Sequence, residues 1–295
     1  MRTALIGCVK SSEMALKILS DIDNVELCGV VTKSKSAMNA DFVDLTSWCK
    51  DSNTPYYFYD NSSAEGMKHF LSELSLDVIF CIGWSHLIEE SVLHCAKYGV
   101  IGFHPAKLPE NRGRHPLIWA LTLGLEETAS TFFRIDSGTD SGDIVSQKLV
   151  KIDSRDTAKE LYERVLVSAQ QQLIDIINRL DNQSLTYTAQ DPSKATYWRK
   201  RSRADGIIDF RMSAEAIYNL VRALAPPYPC AEILTKGAYL KVIQAEVDES
   251  CVSRNIEHGK VLAVEGRWVT VKAYGNNAVR LKLATPHNLT EGSYL

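Results

Sequence analysis

Short apolar runs alternate with amphipathic segments along the first half of the chain. The runs that predict strands lie at 3–9, 25–32, 77–82 and 100–103. Continuous apolar strands of this kind belong to parallel sheets that are covered on both faces. The segments that predict the covering helices lie around 14–19, 41–50, 60–74 and 89–96. The alternation predicts a doubly wound, Rossmann-like α/β domain, in which ligands bind at the carboxyl ends of the strands.

A different pattern follows a long helical stripe at 155–180 and a polar stretch at 181–204. One further helix is predicted at 214–224, and short alternating strands come after it. Those strands are expected at 239–245, 259–264, 268–273 and 278–283. They predict a small, OB-like β-barrel. We therefore expect three parts, namely a catalytic domain over 1–195, a basic linker over 196–204 and a C-terminal β-barrel domain over 205–295.

The composition is that of an ordinary globular protein, with 45% hydrophobic and 23% charged residues. The seven cysteines include no CxxC pair, which argues for a reducing compartment and against a disulfide framework or a zinc site. No run approaches the length of a membrane span, and the first residues lack the long apolar run of a secretory signal. We expect a cytoplasmic protein without a metal or a membrane partner.

Positive charge is concentrated in one segment. Residues 1–193 carry a net charge of −8, residues 194–204 carry five bases and no acids, and residues 205–295 are neutral. A nucleic-acid-binding protein spreads positive charge over a face, so nucleic acid is not an expected partner. The sequence is compatible with a homodimer but does not determine the oligomeric state.

His104 stands at the end of an apolar run and is followed by Pro105, which pushes the preceding residue towards extended geometry. A second strand, predicted at 128–135, leads into a loop that carries Asp136 and Asp140. A histidine and a carboxylate at strand ends are what a general base and its orienting partner require. Taken singly, each could also be structural, as a strand-end histidine or a turn aspartate.

Two further features lie near these residues. The turn-rich loop after His104 ends in Arg112 and Arg114, ahead of a helical run at 117–123. A guanidinium there could hold a carboxylate or phosphate, or could simply be solvated. The loop at 82–88 follows a buried strand and contains Trp84, which could receive a flat heterocycle or pack in the core.

The segment 104–114 resembles the HPSLLPxxRG signature of the 10-formyltetrahydrofolate-dependent formyltransferases, and 136–144 is similar to their DxGxDTGDI loop. Residues 207–210, 221–223 and 226–229 resemble the start of the family's C-terminal barrel. The resemblance therefore spans nearly the whole chain. It implies transfer of a formyl group from the folate N10 to a primary amine, without a metal.

The resemblance also assigns roles to residues. His104 would take or relay a proton, and Asp140 would hold its imidazole. The implied folate contacts are Trp84, His86, Leu87, Ile88, Asp136, Ser137, Gly138 and Thr139. The residues expected on the acceptor side are Arg114, Lys107, Arg112 and Trp198.

Gly102 departs from the family pattern, which usually has Asn two residues before the histidine. The amide of that Asn stabilises the oxyanion, and losing one such donor costs about 10²–10³ in rate. We expect another donor to replace it, such as a water, a backbone N–H, Ser85 or His86. A catalytically impaired folate-binding protein is the alternative.

Two amine acceptors are compatible with the family, namely methionyl-tRNA and a nucleotide-linked amino sugar. Binding of tRNA needs a positive surface, whereas the C-terminal part is neutral and the loop at 33–41 holds two bases. The segment 195–206 is more similar to the linker of sugar N-formyltransferases. We therefore expect a 4-amino-4,6-dideoxy-type sugar in surface-glycan biosynthesis, with methionyl-tRNA formyltransferase as the alternative.

Overall fold

The computed structural model describes residues 1–35, 41–59 and 64–295 and forms two compact units. The first unit consists of 1–116, 128–150 and 163–198, and the second of 117–127, 151–162 and 199–295. Two short stretches from the middle of the chain therefore fold with the C-terminal residues. The predicted domain limits ran continuously along the sequence.

A seven-stranded sheet forms the centre of the first unit. Its strands are β1 (Arg2–Ile6), β2 (Glu26–Thr32), β3 (Tyr56–Phe58), β4 (Val78–Cys81), β5 (Val100–His104), β7 (Glu127–Arg134) and β8 (Ile144–Lys151). A separate short pair joins β6 (Arg112–Gly113) to β9 (Tyr197–Trp198). The order across the large sheet is β3-β2-β1-β4-β5-β7-β8. The pairs from β3 to β5 are parallel, whereas β7 runs antiparallel to β5.

The helices are α1 (Lys10–Asp21), α2 (Thr46–Asp51), α3 (Ala64–Ser72), α4 (Glu90–Leu93), α5 (Pro116–Thr122), α6 (Ala158–Asp181) and α7 (Ala214–Leu224). Two 3₁₀ turns lie at Pro192–Lys194 and Arg203–Gly206. The helix expected at 41–50 begins later than the pattern suggested. Residues 60–63 of the helix expected at 60–74 lie outside the described residues, as do 36–40 of the loop expected at 33–41.

Consecutive strand residues face two different apolar clusters. Leu5 packs in one cluster with side chains of α1 and α6, and Ile6 packs in the other with side chains of α3 and α4. On β4, Phe80 packs in the first cluster and Ile79 packs in the second. Burying one such side chain contributes roughly 1.5–3 kcal/mol. Because helices cover both faces, these strands are continuous apolar runs in the sequence, and the Rossmann-like α/β domain is confirmed.

The second unit contains a five-stranded antiparallel sheet. Its strands are β10 (Ala231–Thr235), β11 (Ala238–Asp248), β12 (Val261–Glu265), β13 (Trp268–Lys272) and β14 (Ala278–Leu283), in the order β10-β11-β14-β13-β12. The helix α7 begins at the N-cap Ser213, whose hydroxyl accepts a hydrogen bond from the amide of Ala216, and it contacts this sheet. The small β domain is confirmed, and β10 is a strand that the alternating pattern missed.

Across the described ranges, no helix combines the length and the apolar character needed to cross a bilayer.

Candidate functional site

His104 is the last residue of β5, and Asp140 lies in the loop between β7 and β8. Because β7 is antiparallel to β5, the end of β7 lies beside the first residue of β5, where the amide of Ile135 donates to the carbonyl of Val100. The loop after β7 must therefore fold back along β5 to reach His104. It does so, and the carboxylate of Asp140 comes within 3.8 Å of the imidazole.

The imidazole of His104 is buried and held from both sides. Its Nε2 lies 2.9 Å from the carbonyl oxygen of Asn111, and a carbonyl only accepts, so Nε2 carries a hydrogen. Its Nδ1 lies 3.8 Å from Oδ2 of Asp140. The nitrogen able to take a proton is therefore Nδ1, which faces the carboxylate of Asp140.

The loop that carries Asp140 is fixed by its own contacts. Asp136 Oδ1 accepts hydrogen bonds from the amide of Gly138 and the hydroxyl of Ser141. A Cβ atom at Gly142 would collide with the backbone carbonyl of Arg134, so only glycine fits there. Asp140 Oδ2 also accepts from the amide of Gly113 at 2.8 Å, which links this loop to β6.

Arg112 is buried, with 4% of its surface exposed, and its guanidinium is occupied within the first unit. It donates to the side-chain oxygen of Gln190 through two nitrogens, at 3.2 and 2.7 Å, and to the hydroxyl of Tyr197 at 2.8 Å. The amide nitrogen of Gln190 donates to the carbonyls of Asp140 and Gly142. Gln190 was not among the residues expected at the site.

The loop at 82–88 presents an aromatic cluster. The rings of Tyr59, Trp84 and His86 lie 5.4–5.6 Å from one another, and the ammonium of Lys33 lies over the Trp84 ring. The Nε1 atom of Trp84 is buried and has no hydrogen-bond partner in the described part of the chain. The Nε1–H donor of Trp84 therefore has no acceptor among the described residues.

His86 and Lys33 form a direct contact. Lys33 Nζ lies 2.6 Å from His86 Nε2, and an ammonium only donates, so Nε2 accepts and the hydrogen of the neutral ring lies on Nδ1. Burial, together with the charges of Lys33 and Arg114, lowers the pKa of His86 below 6.5. Arg114 also donates to the carbonyl of Ser85 at 2.6 Å, which ties it to this loop.

The other expected contacts are distributed around these loops. Leu87 is 73% exposed, whereas Ile88 is buried in the core. Ser137 and Thr139 are exposed in the Asp140 loop, and Lys107 is half-buried. The carbonyl of Trp198 accepts a hydrogen bond from the amide of Arg114, which brings Trp198 beside the same loop.

Gly102 lies on β5 opposite Phe133 of β7 and opposite Cys81 of β4. A Cβ atom at position 102 would lie 2.8 Å from Cγ1 of Ile135 and 3.1 Å from a ring carbon of Phe133. The side-chain space at this position is therefore taken by Ile135. Burial raises the pKa of the adjacent Cys81 thiol, and the negative charge of Asp140 raises it further. The thiol therefore stays protonated.

The basic segment is largely paired within the second unit. Asp205 holds Arg199 in an ion pair, and Glu232 holds Arg203 through both carboxylate oxygens. Arg201 donates to the backbone carbonyl of Asp205, and the guanidiniums of Arg199 and Arg201 both lie against the ring of Trp119.

Within the residues that the structure covers, His, Cys, Asp and Glu side chains do not gather in groups of three or more that could hold a metal ion.

Comparison with known proteins gives a consistent result. Residues 10–177 match the family described as formyl transferase, and residues 200–289 match its C-terminal domain. WlaRD, described as a sugar 3N-formyl transferase and solved with dTDP and 5-N-formyl-THF, superposes with a TM-score of 0.72 at 17% identity, over 97% of this chain and 99% of its own.

Two further solved structures are similar. An N-formyltransferase from Helicobacter canadensis, in complex with folinic acid and dTDP-3-aminofucose, gives a TM-score of 0.75 at 15% identity, over 95% of this chain and 98% of its own. Methionyl-tRNA formyltransferase from Clostridium thermocellum gives 0.61 at 19% identity, over 83% of this chain and 93% of its own. At these identities the likeness concerns the fold.

Proposed function

The chain belongs to the formyl transferase family, and on that premise we propose that it transfers a formyl group from 10-formyltetrahydrofolate to the amine of a nucleotide-linked amino sugar. The observation that carries the chemistry is the pair of buried His104 and half-buried Asp140, with Nδ1 and Oδ2 3.8 Å apart. Support for the two substrates comes from the solved relatives, which were captured with folates and with dTDP or a dTDP-amino sugar.

The loop at 82–88 is the proposed site for the folate ring. Trp84 and its aromatic neighbours offer flat apolar surfaces, and the buried Nε1 of Trp84 lacks an acceptor in the described residues. A heterocycle with ring nitrogens and a carbonyl would supply one. We propose Trp84, His86, Leu87 and Ile88, with the exposed backbone of 136–139, as the donor site.

When bound, 10-formyltetrahydrofolate would supply the formyl carbon; the acceptor amine would add to it, negative charge would collect on the formyl oxygen, and the bond to N10 would then break. His104 Nδ1 takes the proton that the attacking amine must lose, and Asp140 stabilises the imidazolium that forms. The hydrogen bond to the carbonyl of Asn111 fixes the ring so that this nitrogen is the basic one. His104 then returns the proton to N10, which leaves as a neutral amine.

The oxyanion needs a donor other than residue 102. We propose His86 for this role, because its Nε2 accepts from Lys33 and its Nδ1–H remains a donor. The lowered pKa of His86 keeps the ring neutral at pH 7. A neutral imidazole can polarise a carbonyl oxygen without transferring its proton.

For the acceptor, we propose Arg114, Lys107 and Trp198 as contacts. The amino sugar is favoured over methionyl-tRNA because the arginines at 199 and 203 are already held by Asp205 and Glu232, which reduces the charge available to a phosphate backbone. The sequence prediction of a 4-amino-4,6-dideoxy sugar stays part of the proposal, whereas WlaRD is described as a sugar 3N-formyl transferase and the Helicobacter canadensis protein was solved with dTDP-3-aminofucose.

The test is an assay with 10-formyltetrahydrofolate and a panel of dTDP- and UDP-linked amino sugars that includes 3-amino and 4-amino isomers, followed by product mass. We expect formylation of at least one sugar. Product with methionyl-tRNA alone would overturn the acceptor assignment. Release of formate without any formylated acceptor would instead indicate a hydrolase, and folate binding without turnover would indicate an impaired enzyme.

A further inference from the structure

Gln190 lies outside both signature loops, yet it bonds to both of them. Its side-chain oxygen accepts from Arg112 at 2.7 Å, and its side-chain nitrogen donates to the carbonyls of Asp140 and Gly142 at 2.9 and 2.7 Å. One amide therefore spans the loop that orients His104 and the loop that carries its carboxylate partner.

We propose that Gln190 is a positioning residue for formyl transfer, acting with Arg112 to hold Asp140 against His104. The inference rests on the proposed function. It also changes the expected role of Arg112, from a contact to the acceptor to a buried brace.

The loop on the Arg112 side sets the position of the imidazole. The backbone carbonyl of Asn111 accepts from His104 Nε2, and the next residue but one, Gly113, donates its amide to Asp140 Oδ2. Arg112 lies between them, with its guanidinium fixed by Gln190 and Tyr197. A shift of Arg112 would therefore move the supports of both the base and the carboxylate.

The carboxylate side depends on the donor half of Gln190. Asp140 has a positive φ of 51°, a conformation that costs a non-glycine residue energy. The two hydrogen bonds from Gln190 to the backbone at 140 and 142 help to hold this conformation. The opposite polarity of its two ends is what suits Gln190 to the position, because Arg112 requires an acceptor and the two carbonyls require a donor.

The variant Gln190→Glu keeps the side-chain acceptor and removes the side-chain donor. A carboxylate still accepts from Arg112, but its second oxygen faces the carbonyls of Asp140 and Gly142, where a donor is needed. We expect kcat to fall by about 10- to 100-fold, the effect of a small misplacement of catalytic groups, with KM for both substrates changed by less than about twofold. Gln171→Glu is the matched control, because Gln171 is exposed and contacts Lys148.

The decisive measurement repeats Gln190→Glu in an Asp140→Asn background under single-turnover conditions. If Gln190 acts through Asp140, the second substitution should cost little once the carboxylate is gone. An equal fall in both backgrounds would mean a general structural role and would overturn the inference, as would wild-type kcat in Gln190→Glu. If that variant does not fold, Arg112→Lys replaces it, since one ammonium cannot span Gln190 and Tyr197.

An activity-independent measurement keeps the two proposals separate. Hydrogen exchange at the Gly113 amide, which donates to Asp140 Oδ2, should be faster in Gln190→Glu and unchanged in Gln171→Glu. Unchanged exchange in Gln190→Glu would count against the brace. A wild-type protein that formylates no acceptor would defeat the proposed function while leaving this result intact.

Discussion

Ile135 occupies the space that a side chain on Gly102 would need, with its Cγ1 atom 2.8 Å from the position of a Cβ atom there. An asparagine at position 102, which the resemblance to the family led us to expect, would therefore find its side-chain space filled by an apolar neighbour. Adding the asparagine back should crowd Ile135, and overpacking of this kind costs about 1–3 kcal/mol.

We expect Gly102→Asn to lower the melting temperature and to leave kcat unchanged or reduced. The double variant Gly102→Asn, Ile135→Ala provides room for the amide and is measured beside it, with Ile135→Ala alone as the control. A hundredfold gain in turnover in either asparagine variant would show that the native site is an impaired one.

His104→Ala and Asp140→Asn should each remove most of the activity, by about 10²–10⁴-fold, because each loses a part of the proton transfer. Folate binding, followed by fluorescence titration, should be nearly intact. The exposed residues His69 and Asp175 supply matched controls as His69→Ala and Asp175→Asn. Wild-type turnover in either site variant would remove that residue from the catalytic role.

His86 should make the stability of the protein depend on pH in the acidic range. Its pKa is lowered in the folded state, so between that value and the unfolded value near 6.5 the unfolded chain binds more protons. The contribution of His86 to the free energy of unfolding should therefore fall as the pH drops below about 6.5 and be constant above it. His86→Gln keeps an acceptor for Lys33 without titrating, and it should remove this component from melting curves between pH 5 and 8. An identical pH dependence in the variant would contradict the assignment.

Arg203→Ala should destabilise the second unit without changing acceptor binding. It leaves Glu232, which is only 8% exposed, without its guanidinium partner, and an unpaired buried acceptor destabilises the fold. Arg211→Ala is the comparison, because its partner Asp209 is more exposed and the loss of stability should be smaller. A large rise in acceptor KM for Arg203→Ala would show that the basic segment contacts the substrate.

The acceptor KM should also respond weakly to salt. Binding to a phosphate backbone loses affinity steeply as salt rises, whereas a nucleotide sugar makes few phosphate contacts. A tenfold increase in salt is expected to change the KM for the sugar by less than about threefold. A loss of acceptor affinity by several orders of magnitude would instead favour methionyl-tRNA as the acceptor.

The sequence predicted the parts of the site whose signals are local. The apolar run and Pro105 placed His104 at a strand end, and the glycine-rich loop placed Asp140 where the backbone bends sharply. The direction of β7 was not predictable, because an apolar run looks the same whether its neighbour is parallel or antiparallel.

Residues that reach the site from distant positions in the sequence could not be predicted from the sequence pattern. Gln190 reaches Arg112 and Asp140 across 78 and 50 positions, and Lys33 reaches His86 across 53. A polar residue in a polar stretch carries no periodic or compositional signal of such a contact. The same holds for Ile135, whose packing against position 102 depends on how β5 and β7 pair.

The link between Gln190 and Asp140 also bears on how the enzyme matures during synthesis. His104, Asp140 and the loop at 82–88 have all been translated well before Gln190 and β9, which contact Arg112 and its strand. A nascent chain that ends between 150 and 185 thus holds both proposed catalytic side chains but not Gln190, the residue proposed to hold them together. Competence for catalysis should arise late, when the last segment of the first unit docks.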